Sequence, residues 1–339
     1  MSQLVDSLGR KITYLRVSIT DRCNYRCIYC KPEKHFNFIP HQEILRYEEI
    51  VEIIKEAVNL GITKVRITGG EPLVRKGIID FIKKLRKIKG LEDISLTTNG
   101  YLLTEYAEKL KNAGLNRVNI SLDSLQKDKY SQITRGGDLE RVLKGIDSAI
   151  LAELLPIKIN TVLIRGISDE EEVENFVRLT LERPLSIRFI ELMPSLEGII
   201  DNYKDKFISG LDIKENLAKK YSFNPIKINS DNGPAKYYQI EGGKGTIGFI
   251  TALSQHFCET CNRIRLTSEG KIRPCLFSNQ EIDLKKALRE MGNRGEDQIL
   301  RRKVIRDKIE MAVKLKPKGH KIKEGISNNL SFKMSRVGG

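Results

Sequence analysis

Six short β-rich runs alternate with helix-period stretches through the first two-thirds of the chain, and no other feature narrows the fold as much. The runs are YLRVSI (14–19), KVRIT (64–68), DISLTT (93–98), RVNISL (117–122), PIKINTVL (156–163) and LSIRFIEL (185–192). After the first run, Ile50, Ile53, Ile54, Ala57 and Val58 follow the i, i+3, i+4, i+7, i+8 spacing of one helix face, with Gly61 as a stop. Ile78, Phe81, Ile82 and Leu85 repeat the pattern ahead of Gly90, and further helices are expected near 104–113, 139–152 and 169–182. Strands separated in this way pair in parallel, because the return to the same edge needs a crossover long enough to hold a helix. The expectation is an α/β fold on a parallel sheet, with ligands at the strands' C-terminal ends whether or not the sheet closes. Cys23, Gly69, Asn99, Ser121 and Met193 all fall at or just past a predicted strand end, so the candidate residues converge on one rim.

Past about residue 215 the pattern changes. The polar, turn-rich segment NSDNGPAKYYQIEGGKGTIG leads into short strands around GFIT, RIRLT and KIRPCLF, then helices near 282–292 and 295–315. A chain of 339 residues exceeds what one small core needs, so we divide it into a first unit at 1–215 and a smaller one at 216–339. GGKGTIG contains the Gly243-x-Gly245-x-x-Gly248 spacing of a dinucleotide fingerprint. That motif needs a strand before it and a helix after it; here a turn-rich stretch precedes and a strand follows, so it is rejected.

The composition, 40% hydrophobic and 30% charged, is that of a globular protein and excludes long disorder. The N-terminal MSQLVDSLGRKITYLRVSIT lacks the apolar run of a signal peptide, and no segment approaches a membrane span. A cytoplasmic protein with no membrane partner is expected. Lys and Arg outnumber Asp and Glu by 59 to 44, giving +15, which suits an anionic partner. Most of that charge reads as solvated helix faces such as IKKLRKIKG, which leaves particular arginines as functional candidates. A nucleic-acid partner is not expected, since the chain has no Trp and lacks the interleaved aromatics on which bases stack.

The six cysteines form two tight groups, Cys23/Cys27/Cys30 and Cys258/Cys261/Cys275. In a reducing compartment such grouping points to metal or redox chemistry before disulfides. CNYRCIYC is Cys-x3-Cys-x2-Cys directly after the first strand, and three thiolates leave one position of a cluster open. TGGEPL (68–73) follows the second strand, where two glycines let backbone approach a small ligand. The second group lies in CETCNRIRLTSEGKIRPC, with Arg263 and Arg265 on one face of a predicted strand. His256, two residues before Cys258, is a possible fourth ligand of a Cys3His zinc site, and spacing alone leaves zinc and an open cluster as alternatives.

A cysteine triad after strand one with a Gly-Gly-Glu-Pro motif after strand two resembles the radical S-adenosylmethionine (SAM) superfamily. GTIGFITALSQHFCETCNRIRLTSEGKIRPCLF, with RFIELMP and the terminal Gly-Gly, is similar to the GTP 3′,8-cyclase family within it. The resemblance implies a partial (β/α)6 TIM-like barrel with a smaller C-terminal α+β domain. It implies two 4Fe-4S clusters, one on Cys23, Cys27 and Cys30 with SAM on the open iron, the other on Cys258, Cys261 and Cys275 with its open iron facing guanine. Tyr29, Gly69, Gly70, Ser121 and Met193 match SAM-contacting positions, and Arg16, Arg66, Thr97, Lys158, Arg188, Arg263 and Arg265 match GTP-contacting ones. Gly338 and Gly339 match a tail that reaches the active site, where only glycine lets backbone pass so close. The implied reaction converts GTP into 3′,8-cyclo-7,8-dihydro-GTP, the first step of molybdopterin cofactor biosynthesis. A homodimer and an electron donor such as a flavodoxin or ferredoxin are implied with it. Peptide- and sulfatase-modifying relatives need more C-terminal cysteines than the three present.

Overall fold

The computed structural model describes residues 3–32, 36–194, 203–226, 233–291, 294–320, 322 and 334–338. The six expected strands form as β1 (Tyr14–Ser18), β2 (Lys64–Thr68), β3 (Asp93–Thr98), β4 (Arg117–Ser121), β5 (Lys158–Leu163) and β6 (Ser186–Glu191). They lie side by side in chain order, every neighbour parallel. The crossovers carry α1 (Tyr47–Asn59), α2 (Ile78–Arg86), α3 (Leu103–Asn112), α4 (Lys127–Thr134), α5 (Leu139–Leu151) and α6 (Glu170–Glu182). Helix α4 has no counterpart in the sequence pattern, because KDKYSQIT buries only Tyr130, Ile133 and Thr134 and so shows little periodicity.

The sheet is longer than six strands. The C-terminal region adds β7 (Phe223–Ile226), β8 (Lys236–Ile240), β9 (Thr246–Ile250), β10 (Arg263–Leu266), β11 (Lys271–Arg273) and β12 (Ile282–Asp283). Strand β9 joins β6 and β10 joins β1, both in parallel, and antiparallel strands continue outward from each. The order is β12-β11-β10-β1-β2-β3-β4-β5-β6-β9-β8-β7, an open, partial barrel whose two edges are different strands.

Alternation along the strands divides the sheet into two faces. Leu15, Val17, Val65, Ile67, Ile94, Leu96, Val118, Ile120, Ile159 and Ile187 are fully buried in one core. That core also takes the predicted faces of α1 and α2, with Ile50, Ile53, Ile54, Phe81, Ile82 and Leu85 among its members. Each such side chain contributes about 1.5–3 kcal/mol of burial, which fixes the register of every strand. The intervening positions are Arg16, Arg66, Ser95, Asn119, Lys158, Arg188 and Arg265, all buried and all polar. Hydrophobic pressure on one face therefore sets the placement of charge on the other.

Candidate active site

The loop after β1 carries Cys23, Cys27 and Cys30, none of them in a disulfide and all half-buried. Cys30 and Lys31 donate backbone N–H groups to Cys27 O at 2.9 and 3.1 Å, while Arg26 and Ile28 donate to Thr134 O and Ile133 O at the end of α4. Tyr25 anchors the loop edge-on between Tyr101 and Tyr130, with ring centroids 5.9 and 6.3 Å away. Gly70 N donates to Thr20 O at 2.6 Å and Glu71 N to Arg22 O at 2.8 Å. A Cβ on Gly69 would lie 2.5 Å from Thr20 O, and one on Gly70 would lie 2.2 Å from Arg22 O. The glycine pair is thus already required by the main chain that leads into the cysteine loop.

Glu71 is 1% exposed, and its carboxylate accepts from Leu73 N (3.0 Å), Thr98 Oγ1 (2.8 Å) and Asn99 N (2.7 Å). Burial pushes it up to about 7 against those hydrogen bonds. Asn99 Nδ2 reaches Asn24 Oδ1 at 2.9 Å and lies 3.8 Å from Cys23 Sγ, so β2, β3 and the cysteine loop meet there. The Tyr29 hydroxyl donates to Asp123 Oδ2 at 2.6 Å, and Val162 N donates to Asp123 Oδ1 at 2.9 Å, tying the loop to β4 and β5. Burial, then the charge of Glu71, raises the Cys23 thiol to about 11; burial, then Asp123, raises Cys27 well above its ordinary value. Such thiols ionise when a bound cation supplies the missing positive charge, which fits a thiolate-held cluster. Ser121 lies half-buried at the end of β4. Met193, past β6, packs with Leu253, Leu276, Ile322 and Val337.

Beneath the rim, the polar face concentrates cations. Arg16 on β1 is in register with Arg66 on β2 and with Arg265 on β10, so three guanidinium groups share one level of three adjacent strands. Arg66 Nε donates to Ser95 Oγ at 3.3 Å, and its guanidinium lies over the Tyr14 ring. Across the sheet, Arg188 Nη2 donates to Asn119 Oδ1 at 2.7 Å, while Lys158 Nζ lies 5.6 Å from the centre of the Tyr237 ring. Burial first, then Arg265 and Arg66, holds Arg16 well below the usual guanidinium range; burial and Arg263 bring Arg265 down to about 10. Arg188 Nε and Thr97 Oγ1 are buried without hydrogen-bond partners among the described residues. Like charges stacked in a dry site favour a polyanion among them.

Cys258 opens a short 3-10 turn closed by Cys261 N to Cys258 O at 3.2 Å, and Cys275 follows β11. Two cations that the motifs did not reveal hold this region. Arg10 Nη1 donates to Cys258 O (2.7 Å) and its Nη2 to Pro317 O (2.8 Å). Lys316, 4% exposed, donates to Arg263 O (2.7 Å) and Pro274 O (3.0 Å). Burial would raise the Cys261 thiol, but Arg263 and Lys316 outweigh it and bring the group to about 6. Arg263 is half-buried with its guanidinium 5.1 Å above the Phe257 ring. At the C-terminus, Gly338 adopts φ +71°, and a Cβ there would lie 1.9 Å from Thr68 Oγ1. Arg265 Nη1 donates to Gly338 O, which sets the tail against β2 and the arginine row. Gly339 lies outside the described residues. His256 is exposed, with its Nδ1 2.9 Å from His320 Nε2.

Sequence reasoning missed Asn119, Asp123, Arg10, Lys316 and His320. Each acts through a partner remote in the chain, so no local spacing marks it.

Comparison with known proteins matches the Radical SAM superfamily over residues 17–179 and Molybdenum Cofactor Synthesis C over residues 185–322. A GTP 3′,8-cyclase of Petrotoga mobilis is 49% identical over 99% of this chain and 100% of its own length. The chain belongs to the GTP 3′,8-cyclase family. Other members from Alkaliphilus oremlandii and Thermodesulfovibrio yellowstonii are 47% and 48% identical, covering 98% and 93% of this chain and 99% and 94% of theirs. Among solved structures, the cyclase-family chain resembles Streptococcus suis SuiB bound to S-adenosylmethionine, with TM-score 0.59 and 16% identity over 88% of this chain and 68% of that one. Native anSMEcpe with bound AdoMet gives TM-score 0.53 and 16% identity over 80% and 77%. These likenesses confirm the radical SAM barrel fold.

Proposed function

We propose that this chain converts GTP into (8S)-3′,8-cyclo-7,8-dihydroguanosine 5′-triphosphate, the first step of molybdopterin cofactor biosynthesis. Its cofactors are 4Fe-4S clusters and SAM, which when bound supply one-electron reduction and radical hydrogen abstraction. The observation that carries the substrate assignment is the in-register row Arg265, Arg16 and Arg66, with Lys158 and Arg188 buried on the same polar face. A triphosphate neutralises charges that burial otherwise disfavours, and guanidinium forks bind its oxygens bidentately.

Cys23, Cys27 and Cys30 hold the SAM-binding cluster, and Cys258, Cys261 and Cys275 the auxiliary one. Tyr29, Gly69, Gly70, Ser121 and Met193 line the SAM site. Arg16, Arg66, Thr97, Lys158, Arg188, Arg263 and Arg265 hold the nucleotide, with Asn119 orienting Arg188. The Gly338–Gly339 tail closes over the arginine row; this role is supported by the Gly338 contact with Thr68 and Arg265. Residues 1–215 act as the SAM barrel and 216–339 as the cluster-binding unit, whose β9 and β10 extend the same sheet. An electron donor such as a flavodoxin or ferredoxin, a homodimer and a cytoplasmic location complete the proposal. Among the described residues no helix is long and apolar enough to cross a membrane.

The test is anaerobic reconstitution with iron and sulfide, then incubation with SAM, dithionite and GTP. Formation of 5′-deoxyadenosine that depends on GTP supports the reading; formation independent of GTP refutes the substrate. Arg16→Ala and Arg265→Ala should weaken GTP binding and leave guanosine binding nearly unchanged. Equal loss for both ligands would remove the triphosphate role.

A further inference from the structure

Beside the second cysteine group sits a different donor set. Ligand atoms of His256, Cys258 and His320 all lie within 4.8 Å of one another, the one such trio among the described residues. His320 Nε2 lies 2.8 Å from Ala252 O. A carbonyl only accepts, so Nε2 carries the proton and Nδ1 keeps its lone pair. That Nδ1 is buried with no hydrogen-bond partner of ordinary geometry among the described residues. An imidazole that donates one N–H to a backbone carbonyl while its other nitrogen stays bare has the arrangement of a metal-bound histidine. Cys258 accepts the main-chain N–H of His320, which sets the sulfur beside the same residue. His256 is exposed, so the trio opens to solvent on its side.

We propose that His256, Cys258 and His320 form a site for one borderline divalent cation such as Zn²⁺, with water as the fourth ligand. One thiolate and two imidazoles suit zinc, whose nitrogens at about 2.0–2.1 Å sit roughly 3.4 Å apart. The trio's ligand atoms, all within 4.8 Å of one another, are close enough for one such ion to draw them together. Because the ion takes Cys258, it excludes the auxiliary cluster: zinc on this site holds the chain in a cluster-free form. The exclusion rests on the assignment of Cys258 to that cluster, whereas the ion site stands on the donor geometry alone.

The experiment uses the full chain prepared anaerobically without clusters and titrated with Co²⁺, whose spectrum reports ligand type and geometry. We expect one tetrahedral Co²⁺ per chain with the charge-transfer intensity of a single thiolate. His256→Ala, at an exposed position, and His320→Ala should each weaken it about tenfold or more. Cys261→Ser and Cys275→Ser should leave it intact, and loading the auxiliary cluster should abolish it. Binding that survives both histidine substitutions, or is lost in Cys261→Ser or Cys275→Ser with multi-thiolate intensity, overturns the site. Co²⁺ retained beside a loaded auxiliary cluster overturns the exclusion. Failure of the cyclase reading would show separately, as 5′-deoxyadenosine formation independent of GTP with the Co²⁺ titration unchanged.

Discussion

Glu71→Gln tests how the Gly-Gly-Glu-Pro turn is held. The carboxylate serves two sides at once: Oε1 accepts from Leu73 N and Thr98 Oγ1, and Oε2 accepts from Asn99 N. Glutamine keeps the shape but has one oxygen. With that oxygen toward Leu73 and Thr98, its NH₂ faces the Asn99 N–H; reversed, it faces the Leu73 N–H. Either orientation leaves a buried backbone donor unpaired, at about 1–3 kcal/mol. The loss depends on pH, since burial raises Glu71 from 4.5 to about 7 in the fold. A raised carboxyl stabilises the fold fully below its unfolded value and loses that contribution as pH rises through its folded one. Relative to the non-titrating glutamine, the native chain should therefore lose about 3 kcal/mol between about pH 4.5 and pH 7. Urea midpoints of the cluster-free chain and the variant, compared from about pH 5 to pH 8, read this directly. At the acid end Glu71 is protonated, but its hydroxyl oxygen keeps a lone pair for the backbone donor, which the amide NH₂ lacks, so the variant should be clearly weaker there and the gap should close toward neutrality. A gap independent of pH would refute the assignment of the raised carboxyl, and no gap at the acid end would refute the bridging role.

Three further outcomes are expected. Gly70→Ala places a Cβ 2.2 Å from Arg22 O, a main-chain atom that cannot swing aside, so the cysteine loop must move. Iron analysis after reconstitution should then find the auxiliary cluster loaded and the first one deficient, and full iron content would contradict this. Gly338→Ala drives a Cβ into Thr68 Oγ1 at a positive φ, which should displace the tail and lower kcat with SAM binding unchanged. Adding Thr68→Ala should recover part of that loss if the clash is the cause. Lys316→Met removes a buried cation that donates to Arg263 O and Pro274 O. The auxiliary cluster's midpoint potential should fall, since reduction adds negative charge where a positive one is gone, and Lys316→Arg should retain it; an unchanged potential in Lys316→Met would remove the electrostatic role.

The sequence by itself determined what depends on near neighbours. Helix faces such as Ile50, Ile53 and Ile54, the strand runs and the three-cysteine loop after β1 follow from spacing that a short segment carries with it. Family resemblance extended this to the two clusters and the arginines. Tertiary structure alone decided which strands are neighbours. Arg265 stands beside Arg16 because β10 pairs with β1 across most of the chain's length, and no periodicity encodes that choice. The same holds for Lys316, which stabilises two carbonyls beside the second cysteine group, and for His320, which meets His256. It also changed the meaning of the glycine pair: Gly69 and Gly70 are small because the main chain of Thr20 and Arg22 lies against them. Hydrophobic burial and backbone pairing over long separations fix these contacts, and their energies belong to the assembled sheet and to no single segment.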